Sequence, residues 1–408
     1  MLLETVQQYV KENNQEHLLK YYNELNSEEK AHLLEQINQV DFSILKNYQK
    51  YKSLKKNDTI EPINVMKLNE IEQNKIHYVQ IGLEAIRRNN VAAVLLAGGQ
   101  GSRLGVSKSK GLINIGVTKE LYIFECLINN LMQIVREAGV WISLYIMTSE
   151  INHNEITEFF DFHKYFGYKK EYITFFKQGT YPAIDFKGKI LMKSKSELFL
   201  APNGNGGWYK SMMAAGLTEK LKNSGIKYLN VFSIDNVLQR IADPCFVGAV
   251  LDKNFVSGAK VVRKAYPEEN VGIVCFKNGK PSVIEYYELS DEVRMKKNKN
   301  GDLCYNMGVI LNYLFCIDQL DKLLLYDTAI HMAAKKINYI DTEGNIIIPK
   351  VNNGYKFETL ITDMMEYMDN CLVFEVEREK EFAPIKNKFG LDSIDTARKL
   401  LQKNGIFI

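Results

Sequence analysis

The sequence predicts an α/β protein with a mostly parallel mixed sheet, a helical N-terminal region before it and a small C-terminal region after it. Three observations carry that prediction. VAAVLLA, residues 91–97, is a continuous apolar run, the pattern of a strand covered on both faces in a parallel sheet. Downstream, apolar runs alternate with stretches of helical period, the order of a βαβ chain. Upstream, the chain is rich in Glu, Lys, Asn, Gln and Leu at helical spacing. The expected boundaries are 1–90 for the helical region, 91–350 for the α/β domain and 351–408 for the C-terminal region.

Val6, Tyr9 and Val10 share one face of a first helix, and Leu18, Leu19 and Tyr22 one face of a second. NSEEKAHLLEQI opens a further helix, with Asn26 or Ser27 as N-cap and Glu28 and Glu29 favourable in its first turn. Asn57, Asp58 and Pro62 mark a loop, and EIEQNKIHYVQIGLEAIRRNN reads as a longer helix delivering the chain to Val91. After that strand come a helix at LYIFECLINNLMQIVREAG and a strand at WISLYIMTS. Further strands are expected at YITFFKQ, YLNVFSIDN, SGAKVVRKA, VGIVCFKNG and PSVIEYYE, with helices around ITEFFDFHKYF and YKSMMAAGLTEKLKNSG. RMKKNKNGD reads as a solvated loop or a hairpin turn around Asn300 and Gly301. The C-terminal region should hold a helix (YKFETLITDMMEYM), a strand (CLVFEVER) and a closing helix from Ser393 to Asn404.

At 408 residues, 46% hydrophobic and 25% charged, the chain can bury a sizeable core. A net charge of +3 from 52 basic and 49 acidic residues argues against bulk binding to nucleic acid, so any basic patch must be local. The six cysteines are widely spaced, without a CxxC pair, and read as buried reduced thiols rather than disulfides or a zinc site. The N-terminus MLLETVQQYVKENN lacks the basic and apolar segments of a signal peptide. No stretch approaches the ~20 apolar residues of a membrane helix. A cytoplasmic protein without membrane or obligate protein partner is the expectation.

The chemistry concentrates in loops. LLAGGQGSRLG sits at the carboxyl end of the first sheet strand, where open α/β sheets bind ligands. Its glycines let backbone N–H groups approach a ligand closely. The third glycine of GxGxxG is absent and nothing matches GxxxxGK[ST], which argues against a dinucleotide loop and a P-loop. Arg103 and Lys110 on one flexible loop suit a polyphosphate, whereas Lys108 reads as surface. APNGNGGWYKSM is a second glycine-rich stretch. Asp235 ends the strand YLNVFSIDN, well placed to hold Mg²⁺, although a cap or turn would suit it equally. The histidines form no HExxH, and there is no GxSxG elbow.

Together these stretches resemble the eukaryotic-type UDP-N-acetylglucosamine pyrophosphorylases of the UDP-sugar pyrophosphorylase group. LAGGQGSRLG is similar to that family's LAGGQGTRLG, with Ser102 in place of threonine. HKYFGYKKEYITFFKQGTYPAI, APNGNGG, SIDNVL, VGIVC, VIEYYE, YNMGVI, HMAAKKINYID and EREKEFAPIKN follow in the family's order. The resemblance implies a Rossmann-like nucleotidyltransferase core in 91–350 and the reaction of UTP with N-acetylglucosamine 1-phosphate to give UDP-N-acetylglucosamine and pyrophosphate. It assigns Gly98, Gly99 and Gln178 to the uracil and Gly204 to the nucleotide. Asn205, Gly272, Glu285, Tyr286 and Asn306 fall to the sugar. Arg103 and Lys110 fall to the departing phosphates, Lys386 to the sugar phosphate, and Asp235 to Mg²⁺ (or Mn²⁺).

The chain departs from the family pattern at several points. PKG appears as Ser109-Lys110-Gly111, APDGNGG as APNGNGG with Asn203, and NxGN ends in Val309. Leu360 and Thr362 stand where relatives often carry aromatic residues. The rival readings are a UDP-glucose or UDP-galactose pyrophosphorylase, against which LAGGQG argues, and an inactive nucleotide-binding relative, against which Arg103, Lys110, Asp235 and Lys386 argue. A nicotinamide dehydrogenase is disfavoured by the loop.

Overall fold

The apolar run from residue 91 forms a strand in which every residue is buried, as a strand covered on both faces must be. The structure is a computed structural model that describes residues 3–45, 58–106, 108–326 and 329–408. Among these, eleven strands form one sheet: β1 (Ile60–Glu61), β2 (Val65–Met66), β3 (Val91–Leu96), β4 (Leu144–Thr148), β5 (Ile173–Lys177), β6 (Tyr228–Ser233), β7 (Ser257–Arg263), β8 (Ile273–Lys277), β9 (Lys280–Ile284), β10 (Met307–Cys316) and β11 (Leu372–Glu375). The main path runs β2-β11-β7-β10-β6-β3-β4-β5, with β8 joined to β10, and β9 and β1 to β8. β6, β3, β4 and β5 pair in parallel, as do β2, β11 and β7. β10 runs antiparallel between the two groups. The expected mostly parallel mixed sheet is present.

Alternate residues of β3 face two different cores. Val91, Ala93 and Leu95 pack with the Ile123–Ala138 helix on one face; Ala92, Val94 and Leu96 pack with Trp208, Tyr209 and Met212 on the other. The Ile123–Ala138 helix stops at Gly139, whose φ of +75° is the left-handed conformation that a glycine cap adopts at least cost. The Leu68–Arg87 helix packs closely on Pro244–Asp252 through two glycines. A Cβ on Gly82 would lie 1.9 Å from Pro244 O, and one on Gly248 would lie 1.8 Å from Tyr78 O. No helix among the described residues is long and apolar enough to cross a membrane.

Packing divides the chain into two units. One holds Met1–Asn57, Gly179–Gly207 and Thr328–Leu360; the other holds Asp58–Gln178, Trp208–Asp327 and Ile361–Ile408, and with them the sheet. These divisions fall elsewhere than the expected boundaries at 90 and 350. The reason is packing: Leu68–Arg87 lies on Pro244–Asp252 in the sheet unit, whereas Ile184, Met192 and Phe357 complete the core of Val6, Val10, Leu33 and Ile37. That smaller unit also carries a three-stranded antiparallel sheet of His331–Lys335, Gly354–Glu358 and Ile184–Asp185.

Several local expectations hold. Asn26 is the N-cap of Ser27–Gln39, in a capping box with Glu29. Ser393 caps the closing helix Ile394–Lys403, which ends at Asn404. Gly301 turns with φ +84° between the bridged Lys297 and Leu303. All six cysteines are free thiols, four of them buried. Asp58 and Pro62 lie in the expected loop region; Asn57 falls outside the described residues.

Others need correction. The second N-terminal helix is instead two short 3-10 turns, Glu16–Leu19 and Tyr22–Glu24. Gln15 is bound to Gly188 O and Ile190 N by its side chain, so tertiary contacts override a short helical period there. YKFETLITDMMEYM is not one helix. Its start is the strand Gly354–Glu358, drawn into pairing with His331–Lys335, and its end is a 3-10 turn, Ile361–Tyr367. The strands expected at VGIVCFKNG and PSVIEYYE are present as β8 and β9, joined in one hairpin closed by Asn278 and Gly279 with φ +52° and +77°, the type I′ geometry that Asn-Gly favours.

Candidate active site

The parallel strands β6, β3, β4 and β5 end on one edge of the sheet, and the carboxyl ends of β3 and β6 carry the AGGQGSRLG loop and Asp235. Gly98 follows β3 and Gln178 follows β5. A Cβ on Gly98 would fall 2.5 Å from Gln178 Oε1, so only glycine leaves that amide its place. Gln178 is buried, and its N–H donates to Thr148 O at 2.7 Å. Gly99 has open space where a side chain would stand.

The loop beyond Gly99 is tied to itself. Gln100 bridges Ser109, Gly101 N–H donates to Lys108 O (3.1 Å), and Leu104 N–H donates to Gly101 O (2.8 Å). Arg103 is exposed and makes no hydrogen bond or ion pair among the described residues. Lys110 begins the short turn Lys110–Leu112 and points back to the sheet edge. Its Nζ lies 2.6 Å from Asp235 Oδ1, with 12% of the lysine and 35% of the aspartate side chain exposed.

Asp235 stands two residues beyond β6 and is also where Lys386 enters. Ile385 N–H donates to Asp235 O (2.9 Å), Val237 N–H donates to Ala383 O (3.3 Å), and Asn236 bridges Pro384. Asn236 strengthens the join: its Nδ2 donates to Glu381 O and its Oδ1 accepts from Ala383 N–H. The APIK segment is thereby pinned beside Asp235. Lys386 Nζ lies 3.7 Å from Asp392 Oδ2.

Beneath this segment is a buried charge cluster. Lys260, fully buried, reaches Asp243 Oδ2 (2.9 Å) and Glu381 Oε2 (2.6 Å). Burial works against the Lys260 charge, but the two carboxylates outweigh it and hold its pKa above the lysine range. Asp243 is also disfavoured by burial, yet Lys260 and Arg240 together hold its carboxyl below the usual range. For Glu381 burial prevails and its pKa is raised.

Four of the residues expected to meet the sugar, Gly272, Glu285, Tyr286 and Asn306, belong to the sheet unit. Gly272 precedes β8, and Glu285 follows its partner β9. A Cβ on Gly272 would lie 2.9 Å from Val283 Cγ1 and 3.5 Å from Glu285 Oε2. Thr362, one of the departures from the family pattern, donates to Glu285 Oε1 at 3.4 Å. Asn306 directly precedes β10 and, with Lys67, Arg263 and Tyr305, lines a groove of about 630 Å³. Tyr286 is partly exposed, its ring edge-on to Tyr287.

Gly204 and Asn205 belong to the smaller unit. Gly204 has φ +83°, and a Cβ there would lie 2.3 Å from Thr359 O, so close approach of two backbones requires glycine. Asn203 O accepts from both Thr359 N–H and Thr359 Oγ1, at 2.8 and 2.9 Å. Asn205 opens the turn Asn205–Gly207.

The structure thus brings Gly98 to Gln178, Lys110 and the Lys386 segment to Asp235, and Gly272 to Glu285. Sequence reasoning missed Asn152, Glu155, Asn236 and Glu381, which hold these loops. Asn152 and Glu155 carried one legible signal, the N-x-x-E spacing of a helix start.

A cation fits part of this arrangement. Asp235 Oδ2 has no hydrogen-bond partner among the described residues, and Mg²⁺ typically needs only one or two carboxylates when phosphate oxygens complete its shell. Among the described residues, no group of three or more His, Cys, Asp and Glu gathers as a metal cage.

Comparison with known proteins gives concordant matches. The profile of the family described as UTP–glucose-1-phosphate uridylyltransferase matches residues 14–397. The chain is 40% identical to the UDP-N-acetylglucosamine pyrophosphorylase of Saccharomyces cerevisiae over 342 residues, 80% of this chain and 71% of that protein. It is 36% identical to UDP-N-acetylglucosamine diphosphorylase 2 of Arabidopsis thaliana over 419 residues, 96% of this chain and 82% of that protein. The crystal structure of the uridine diphosphate N-acetylglucosamine pyrophosphorylase from Trypanosoma brucei aligns with a TM-score of 0.84 at 25% identity, covering 98% of this chain and 84% of that one.

Proposed function

The chain belongs to the UTP–glucose-1-phosphate uridylyltransferase family, and from that premise we propose the reaction and the roles of its residues. It is a uridylyltransferase that joins UTP and N-acetylglucosamine 1-phosphate into UDP-N-acetylglucosamine and releases pyrophosphate. Relatives of that activity matched over most of the chain support this reading above the glucose alternative. The observation that carries the site assignment is the Lys110–Asp235 pair at the end of β6, with the Lys386 segment bound to Asp235.

Gly98 and Gly99 present bare backbone to the uracil, and the Gln178 amide offers it both a donor and an acceptor. Arg103 and Lys110 neutralise the phosphates that depart. Lys386 draws the sugar phosphate to the α-phosphorus. A phosphate monoester is already anionic near neutral pH, so no general base is needed to make it a nucleophile. The chain's own work is to hold two polyanions in line and to stabilise charge on the leaving pyrophosphate. Asp235 is the residue to hold Mg²⁺, which would supply further charge neutralisation at the phosphates. Gly272, Glu285, Tyr286 and Asn306 are assigned to the sugar. Gly204 and Asn205 keep the nucleotide and sugar roles that the resemblance implies. The free thiols support a reducing compartment, and we assign the reaction to the cytosol.

Pyrophosphate release with UTP, Mg²⁺ and a panel of sugar 1-phosphates tests the reading. N-acetylglucosamine 1-phosphate should give the highest kcat/KM, by about tenfold or more over glucose 1-phosphate. A preference for glucose 1-phosphate overturns it.

A further inference from the structure

The first turn of the His153–Phe162 helix holds both ends of the glycine-rich loop. At the loop's start, Asn152 Nδ2 donates to Ala97 O (3.2 Å), while Asn152 Oδ1 accepts the Ser149 N–H (2.7 Å). At its end, Ser109 N–H donates to Glu155 Oε2 (3.0 Å). Asn152 and Glu155 have the spacing of a capping box, yet Asn152 makes no side-chain cap on its own helix. Both side chains serve the loop instead.

Ser109 is 1% exposed, and its hydroxyl has no partner among the described residues. The Glu155 carboxylate on its N–H is the charged contact that holds it, beside the backbone bridge to Gln100. Ser109 has φ −55°, a value proline also adopts, but proline has no N–H to offer Glu155. Lys110 follows directly and reaches Asp235 on a flexible four-carbon stem, so the place of its ammonium depends on where the backbone is fixed.

We infer that Glu155 is a positioning residue for uridylyl transfer, acting through the Ser109 N–H to hold Lys110 at the leaving phosphates. The inference rests on the function proposed above. Displacing Lys110 weakens an interaction that matters most as charge develops on the leaving group, so turnover suffers more than substrate binding.

The test is a kinetic cycle of Glu155→Ala, Ser109→Pro and the double variant, with Glu155→Gln as the conservative control. Glu155→Ala should lower kcat about fivefold or more while KM for the sugar phosphate stays within about twofold. Glu155→Gln, which keeps an acceptor oxygen, should recover most of that loss. In the Ser109→Pro background the Glu155→Ala change should fall below about twofold, because no N–H remains to be held. Wild-type kcat in Glu155→Ala, or the same loss in both backgrounds, overturns the inference.

Amide hydrogen exchange gives a readout independent of activity. Ser109 should exchange faster in Glu155→Ala than in the wild type, and an unchanged rate overturns the inference even if Ser109→Pro does not fold. Wild-type protein that releases no pyrophosphate contradicts the function reading instead, and the exchange measurement then decides the Glu155 contact alone.

Discussion

Lys386 lies 151 positions beyond Asp235 in sequence, yet the Ile385 N–H on Asp235 O seats it one residue from the proposed metal ligand. Lys386→Ala should lower kcat at least about tenfold, equivalent to ~1.4 kcal/mol or more of transition-state stabilisation. Steady-state pyrophosphate release measures it, and near-wild-type turnover removes Lys386 from the mechanism. Lys110 and Asp235 were legible individually, because a cation in a glycine-rich loop and a carboxylate at a strand's end each stand out. Their 2.6 Å pairing was not, since it depends on how the loop folds back across the sheet edge. Ser109 reads as a missing proline in sequence; in the structure it is a donor to Glu155. Backbone partners of this kind leave no mark in residue type.

At the scale of elements, apolar periodicity was a good guide where both faces of a strand are buried. VAAVLLA fixed β3 and its two cores, and Asn26 and Ser393 announced their helices by capping chemistry. It failed for residues 354–358, whose strand state comes from pairing with His331–Lys335, a partner chosen by tertiary structure. The Leu68–Arg87 helix was legible as a helix, but its close crossing with Pro244–Asp252 was not. Gly82→Ala should improve intrinsic helix propensity by about 1 kcal/mol, yet its Cβ would press on Pro244 O at 1.9 Å. Overpacking against backbone costs about 1–3 kcal/mol in general, and we expect it to prevail here. Urea unfolding should show a lower midpoint for the variant; an unchanged or higher midpoint refutes this account of the helix crossing.

Over the whole molecule, distant parts of the sequence meet around Lys260. It lies on β7, Asp243 begins the Pro244–Asp252 helix, and Glu381 precedes the APIK segment. Lys260→Met would leave buried Glu381 without its cation and Asp243 with Arg240 alone, a loss of about 3–5 kcal/mol by comparison with other broken buried pairs. In that variant burial, no longer opposed by the Lys260 ammonium, holds the folded-state pKa of Glu381 above its unfolded value, so taking up a proton favours the folded form. The deficit relative to wild type should therefore shrink as pH falls from neutral through the raised Glu381 pKa in urea unfolding, and a deficit independent of pH contradicts it. The same long-range closure explains why boundaries at 90 and 350 were not where packing divides the chain: composition changes along the sequence, whereas cores gather segments such as 179–207 from far away.

In the proposed reaction the sugar phosphate attacks the α-phosphorus of UTP directly, with no covalent uridylyl-protein between. The most direct measurement is the stereochemical course with UTP made chiral at that phosphorus by sulfur substitution. A single in-line displacement predicts inversion of configuration in the UDP-sugar product; retention would mean two displacements and would contradict the mechanism.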